Sequence, residues 1–65
     1  MNKHRKSRLL LVEDSLALAR VYEEYLKPMP VDVTHVTEGR EGLMQIEKTD
    51  PDVILLDLNL PDMNG

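Results

Sequence analysis

Three carboxylates in this sequence stand directly after runs of apolar residues. Asp57 closes the run 53–56, and the pair Glu13 and Asp14 follows the segment 8–12, which is apolar from residue 9 onward. An apolar run without alternation is typical of a strand that is covered on both faces of a parallel sheet. Functional groups of open α/β sheets gather at the carboxyl ends of the strands, so these acids would share one edge. Carboxylates that close repel one another, and a hard divalent cation with oxygen ligands stabilises them.

The length and composition predict one small domain without covalent cross-links. The 65 residues include no cysteine, so no disulfide can form, and the only aromatic residues are Tyr22 and Tyr25. The core must therefore be aliphatic. Neither a stretch long enough to cross a membrane nor a secretory signal is visible, and we expect a soluble, cytoplasmic protein.

Charge is divided unevenly along the chain. Residues 1–8 hold half of the 8 basic residues and no acid, whereas residues 9–65 hold all 12 acidic residues. We interpret residues 1–7 as a basic, solvated tail and residues 8–65 as the folded domain. An acidic domain repels a phosphate backbone, and the tail lacks interleaved aromatic residues or a recognition helix. We therefore expect no direct binding of nucleic acid.

Apolar periodicity predicts a helix after the first strand. Ser15 is suited to cap its beginning, and Pro28 and Pro30 end it. Its inward face is predicted from residues at helical spacing, which are Leu18, Val21, Tyr22, Tyr25 and Leu26.

The rest of the chain continues the alternation of strands and helices. Partial alternation over 31–36 predicts a second strand at an edge of the sheet, with His35 at the surface. A second helix is expected over about 39–49, with Leu43 and Ile46 inward, before the third strand at 53–57. Strands separated by such helices form βαβ units, so we predict an α/β fold.

The third strand is of the buried type, yet only a loop follows it. A parallel sheet that ends there would leave backbone groups and apolar surface uncovered. We therefore expect residues 8–65 to be the first half of a larger domain. Pairing or swapping with another chain is the alternative way to cover this surface.

Three segments resemble the N-terminal half of the receiver domain of two-component response regulators. They are LLLVEDS at 9–15, PDVILLDL at 51–58 and LPDMNG at 60–65, in the family's order and spacing. They are most similar to receivers of sigma-54-dependent, NtrC-type regulators, including those of quorum-sensing phosphorelays. The resemblance implies a flavodoxin-like, doubly wound parallel sheet, of which only the first β-α-β-α-β portion is present.

The resemblance also implies a function in signalling rather than enzymatic turnover. A histidine kinase or histidine phosphotransfer protein would pass a phosphoryl group to Asp57, and a transcriptional output domain would respond. Asp57 would be both the nucleophile and a ligand of Mg²⁺, and Asp14 would be a direct ligand. Asn59 would bind the ion through its backbone carbonyl, and Glu13 would bind it through water.

The chemistry of phosphoryl transfer accounts for this set of residues. Transfer depends on positioning and on neutralising charge, because a carboxylate must approach phosphoryl oxygens of its own sign. Mg²⁺ keeps several waters, so two carboxylates and one carbonyl suffice as protein ligands. The family's Ser/Thr after the fourth strand and Lys after the fifth have no counterpart here. Without them phosphoaspartate has fewer partners, and a switching element is missing.

Two other functions compete with this interpretation. A half receiver could be a non-catalytic binding or dimerisation module that sequesters a kinase or pairs through its first helix, where Leu18, Val21 and Tyr22 lie. A haloacid-dehalogenase-like phosphatase fragment would also carry a nucleophilic aspartate after an apolar strand. Such enzymes usually place an acid two residues later, where this chain has Asn59. Dinucleotide binding is excluded, because no glycines follow the first strand.

Overall fold

The structure, a computed structural model, describes residues 6–57. In chain order its elements are β1 (Ser7–Glu13), α1 (Leu16–Leu26), β2 (Val31–Val36), α2 (Gly39–Thr49) and β3 (Val53–Asp57). The predicted α/β class and element order are confirmed. Asn59 lies outside the described residues, as do residues 1–5 of the predicted tail. Neither helix is long and apolar enough to cross a bilayer.

The three strands form one parallel sheet in the order β2-β1-β3. β1 is therefore central, and Leu11 pairs with His35 of β2 on one side and with Leu55 of β3 on the other. β2 lies at an edge, as its partial alternation predicted. The order β2-β1-β3 places the ends of β1 and β3 side by side.

Each face of β1 packs against one helix. Leu9 and Leu11 form a buried cluster with Ala19 of α1, and Tyr22 and Leu26 pack against it. On the opposite face Leu10 and Val12 form a second cluster, which Val36 and Ile46 complete. Both faces of β1 are thus covered, which explains why its apolar run shows no alternation.

β3 differs from the prediction that it too is covered on both faces. Val53, Ile54 and Leu56 are exposed, and only Leu55 packs against the core. Both helices pack mainly over β1 and β2, so most of β3 is left uncovered within the described residues. The apolar surface expected at this side of the sheet is present on β3.

The packed face of α1 is rotated from the predicted one. Ala19 is buried and Tyr22 and Leu26 are half-buried. The residues predicted inward that prove exposed are Leu18, Val21 and Tyr25. The helix carries apolar residues on more than one side, and its buried residue is Ala19, which packs with Leu9 and Leu11 of β1. The predicted cap is confirmed, because the backbone N–H of Leu18 donates to Ser15 Oγ at 3.2 Å.

α2 packs through a glycine that the periodicity did not select. A Cβ added to Gly42 would lie 3.1 Å from a methyl group of Val12, so the helix approaches β1 closely at this point. Ile46 packs inward as predicted, but the prediction for Leu43 is wrong, since 67% of that residue is exposed. Close approach at Gly42 turns Leu43 away from the sheet.

Hydrogen bonds at the start of β3 hold it beside β1. The backbone N–H of Arg8 donates to Asp52 Oδ2 at 2.8 Å, and the N–H of Asp52 donates to the Arg8 carbonyl at 2.8 Å. The Arg8 guanidinium also donates to the Thr49 carbonyl at 2.9 Å. These contacts fix the register of β1 with β3, and this register makes Glu13 and Asp57 partners at the other end of the strands.

The packing predicts opposite outcomes for two leucine truncations. Leu11→Ala should cost about 2–5 kcal/mol, because it removes a fully buried side chain and leaves a cavity. That loss is comparable with the whole stability of a chain this short, so the variant should lose most of its far-ultraviolet circular dichroism. The control Leu43→Ala removes an exposed side chain and should keep the wild-type spectrum. Equal losses in both variants would contradict the packing described here.

The exposed face of β3 predicts self-association of the 65-residue chain. Within residues 6–57 the outer edge of β3 has no strand partner, and an edge with exposed apolar side chains favours pairing with a second copy. Leu56→Lys should shift the molecule towards monomer in sedimentation velocity. The matched control Leu16→Lys changes a residue that is equally exposed, at 65% against 64% for Leu56, but lies on α1. A wild-type chain that is monomeric at high micromolar concentration would refute the prediction.

Candidate functional site

The acidic residues meet at the carboxyl edge of the sheet. β1 ends at Glu13 and β3 ends at Asp57, and these two residues are direct partners in the parallel pairing. Asp14 follows Glu13 and is exposed, while Asp57 is half-buried. The prediction that two strand ends gather these three acids at one edge is therefore in agreement with the structure.

Glu13 is the most enclosed of the three acids, with 0% of its surface exposed. The backbone N–H of Ser15 donates to its Oε2 at 2.8 Å, whereas Oε1 is buried without a hydrogen-bond partner among the described residues. A buried carboxylate oxygen without a partner costs free energy until a proton, a water or a cation satisfies it. Glu13 thus contributes an unsatisfied oxygen to the site.

Several interactions act on the pKa of Glu13. The hydrogen bond from the Ser15 backbone lowers it, but burial, the adjoining Asp14 carboxyl and the charges of Asp57 and Asp14 together outweigh that effect. The net result is a raised pKa for Glu13. The raised pKa of Glu13 has its cause in burial and in the nearby carboxylates of Asp14 and Asp57.

Tyr22 is a member of the site that the sequence did not indicate. Its hydroxyl donates a hydrogen bond to Asp57 Oδ2. The bond to Asp57, burial and the charges of Asp57 and Glu13 raise the pKa of Tyr22. One feature of the sequence points to such a contact, which is a tyrosine on the apolar side of α1. A buried tyrosine usually finds a hydrogen-bond partner for its hydroxyl.

His35 also lies closer to the site than predicted. It is half-buried on β2, and its Nε2 lies 2.9 Å from the Glu13 carbonyl oxygen. A carbonyl only accepts, so Nε2 carries the hydrogen and donates it. His35 is thus only partly exposed, because the parallel register brings the end of β2 beside the end of β1.

The acidic edge fits a hard cation with few protein ligands. Among residues 6–57, no three His, Cys, Asp or Glu side chains are arranged to hold a metal by themselves. Asp14 and Asp57 nevertheless supply oxygen donors, and the orphaned oxygen of Glu13 adds a third acceptor. Mg²⁺ completes its octahedral shell with water, so this donor set suits it. The ion would neutralise the mutual repulsion of these acids.

A cavity of the structure lies away from the acidic edge. A cavity of about 370 Å³ lies between α2 and the sheet, and its lining includes Arg8, Asp32, Thr34 and Lys48. Arg8 begins the sheet pairing that ends at Glu13, so this cavity lies towards the opposite end of the strands. None of the acids at the carboxyl edge lines it. Of the three acids at that edge, Asp14 is exposed, Asp57 is half-buried and Glu13 is buried.

Comparison with known proteins identifies the family. Residues 9–65 match the response regulator receiver domain. The chain belongs to that family. The resemblance predicted from the three sequence segments at 9–15, 51–58 and 60–65 is thereby confirmed.

Individual relatives agree with this assignment. The regulatory protein LuxO of Vibrio cholerae is 46% identical over 55 residues, which is 85% of this chain and 12% of that protein. The cell cycle response regulator CtrA of Brucella ovis is 47% identical over 58 residues, or 89% of this chain and 25% of that one. The chain thus spans a quarter or less of the length of these curated relatives.

A solved structure supports the fold. The crystal structure of the signal receiver domain of a putative LuxO repressor protein from Vibrio parahaemolyticus superimposes with a TM-score of 0.79 at 50% identity. The match covers 89% of this chain and 45% of that one. The predicted flavodoxin-like receiver fold, present here as its first portion, is confirmed.

The buried carboxyl of Glu13 predicts a pH-dependent stability. Since its pKa is raised in the fold, ionised Glu13 destabilises the receiver at neutral pH, and protonation relieves this as the pH falls. Glu13→Gln retains an acceptor for the Ser15 N–H and removes the charge. We expect a higher melting temperature than wild type at pH 7, with the difference shrinking as the pH is lowered.

The control for this prediction is Glu23→Gln on the exposed side of α1. An exposed substitution of this kind changes stability by no more than about 0.5 kcal/mol. A Glu13→Gln variant that melts below wild type at pH 7 would show that the charge of Glu13 supports the fold instead of opposing it.

Proposed function

We propose that this receiver domain accepts a phosphoryl group on Asp57 in the presence of Mg²⁺. The observation that carries the proposal is the pairing of Asp57 with Glu13 at the carboxyl edge, beside the exposed Asp14. A half-buried carboxylate at a strand end, next to further acids, has the oxygen donors and the access that this reaction needs.

The reaction is a displacement at phosphorus. An oxygen of the Asp57 carboxylate forms a bond to phosphorus as the bond from phosphorus to the donor's imidazole nitrogen breaks. The electron pair of the broken bond goes to that nitrogen, and the product is an acyl phosphate on Asp57. The parallel pairing with β1 holds Asp57 in position, which is the main contribution a protein makes to such a transfer.

The proposed metal ligands follow from the donor set. Asp57 and Asp14 would bind Mg²⁺ directly, and Asn59, which lies outside the described residues, would bind it through its backbone carbonyl. Glu13 would act through a water that satisfies its buried Oε1. When bound, the cation supplies charge neutralisation between the carboxylates and the incoming phosphoryl oxygens.

The proposed partners follow from membership of the family. A histidine kinase or a histidine phosphotransfer protein would donate the phosphoryl group, and an output domain would read the modified receiver. The matches to regulatory proteins named LuxO and to the response regulator CtrA support an output in transcription and are consistent with the phosphorelay group predicted from the sequence.

A second candidate is a non-catalytic binding or dimerisation module. The exposed apolar side chains of β3 favour it, because they form a surface that another chain could cover. The haloacid-dehalogenase alternative has no such support, since the chain belongs to the receiver family.

The test of the proposed function is intact mass after incubation with Mg²⁺ and acetyl phosphate. Wild type should gain a single phosphoryl group, and Asp57→Asn should gain none because it lacks the nucleophilic oxygen. The matched control is Asp32→Asn, which changes an exposed aspartate near the start of β2 and should react like wild type. An adduct that persists in Asp57→Asn would refute Asp57 as the acceptor. Absence of any adduct in wild type would favour the binding module.

A further inference from the structure

The hydrogen bond between Tyr22 and Asp57 places a protein donor on the residue that should react. The Tyr22 hydroxyl donates to Oδ2 of Asp57, and both side chains are half-buried. A carboxylate has two oxygens with which to bind a cation and attack phosphorus, so a donor held on one of them affects both tasks. The proposed function gives this hydroxyl no role.

We propose that Tyr22 is a positioning residue whose hydroxyl competes with Mg²⁺ for Asp57 and must leave Oδ2 when the cation binds. The effect on phosphoryl transfer rests on the proposed function. The competition itself concerns only Tyr22, Asp57 and a divalent cation. Through Tyr22, α1 controls how readily Asp57 binds the cation.

The packing of Tyr22 explains why its hydroxyl stays at this position. Its ring packs against the cluster of Leu9, Leu11 and Ala19, which fixes the side chain to the face of α1 that covers β1. Few alternative rotamers are open to a ring held in this way, so the entropy lost on forming the hydrogen bond is small. Tyr25, one turn further along α1, is 73% exposed and has no such contact with the core.

Charge at the edge explains why the hydroxyl prefers Asp57 in the absence of a cation. Glu13, Asp14 and Asp57 repel one another, and a phenol donor offsets part of the negative charge on Asp57. A hydrogen bond to a charged group is stronger than one between neutral groups. A cation neutralises the same charge more fully, so the two interactions oppose each other.

Loss of the hydroxyl should therefore tighten the apparent affinity for Mg²⁺. Tyr22→Phe keeps the ring against the core and removes only the donor. We expect half-saturation at a concentration of Mg²⁺ about tenfold lower than in wild type, as befits a hydrogen bond to a charged acceptor. Tyr25→Phe is the matched control, and it should bind Mg²⁺ as wild type does.

Tyrosine fluorescence reports the competition without any phosphoryl transfer. The chain has 2 tyrosines and no tryptophan, so Tyr25→Phe leaves Tyr22 as its only tyrosine emitter. A phenol that donates to a carboxylate emits weakly, and emission should rise as Mg²⁺ displaces it from Asp57. Ca²⁺ tests whether other hard cations act alike, and Na⁺ at matched ionic strength controls for screening. Emission from Tyr22 that does not respond to Mg²⁺ would overturn the inference.

The rate of acetyl phosphate labelling separates a competing hydroxyl from a merely structural one. Tyr22→Phe should react faster than wild type at limiting Mg²⁺ and equally fast at saturating Mg²⁺. A variant that reacts more slowly at every Mg²⁺ concentration, or whose dependence on Mg²⁺ is unchanged, would overturn the inference. The Tyr25→Phe emission experiment keeps Tyr22 intact, so it decides the question even if Tyr22→Phe does not fold.

The two proposals fail in different ways. If Mg²⁺ raises the emission of Tyr22 but no variant is labelled by acetyl phosphate, the competition is established and phosphoryl acceptance is refuted for this chain. If wild type is labelled on Asp57 while the emission of Tyr22 ignores Mg²⁺, the proposed function is supported and the competition is refuted.

Discussion

The parallel pairing of β1 with β3 is the interaction on which the candidate site depends. Glu13 and Asp57 lie 44 positions apart in the chain, and only this pairing makes them partners. Its register is held at the opposite end by the reciprocal hydrogen bonds of Arg8 and Asp52. A shift by one residue would turn Asp57 to the other face of the sheet. The arrangement of the acids therefore follows from contacts made at the far end of the strands.

The same pairing creates an electrostatic cost. It brings acids together, and it buries Glu13 with one oxygen that has no partner in the described residues. Protein donors offset part of this cost, since the Ser15 N–H donates to Glu13 and the Tyr22 hydroxyl donates to Asp57. Both donors belong to the beginning and the inner face of α1. The helix α1 thus packs against β1 and also provides hydrogen bonds that offset part of the negative charge at the acidic edge.

Particular residues show which predictions the sequence could support. The cap at Ser15 is predictable because capping is a local interaction. A side-chain oxygen just before the helix accepts from a free N–H group of the first turn. Leu43 and Leu18 were placed inward by periodicity and are exposed. Both helices carry apolar residues on more than one side, so periodicity left more than one candidate face. Packing at Ala19 and at Gly42 decides which face of each helix meets the sheet. Periodicity does not reveal this, because small residues contribute little to a hydrophobic pattern.

The order of the elements, the edge position of β2 and the identity of the acids at two strand ends were determined by the sequence alone. They depend on local patterns, which are read within a few residues of each other. The partners of those acids were decided by the tertiary structure. Tyr22 meets Asp57, and His35 meets the Glu13 carbonyl, only because packing and register bring separate elements together. No local pattern encodes such contacts, since their geometry exists only once the strands have paired.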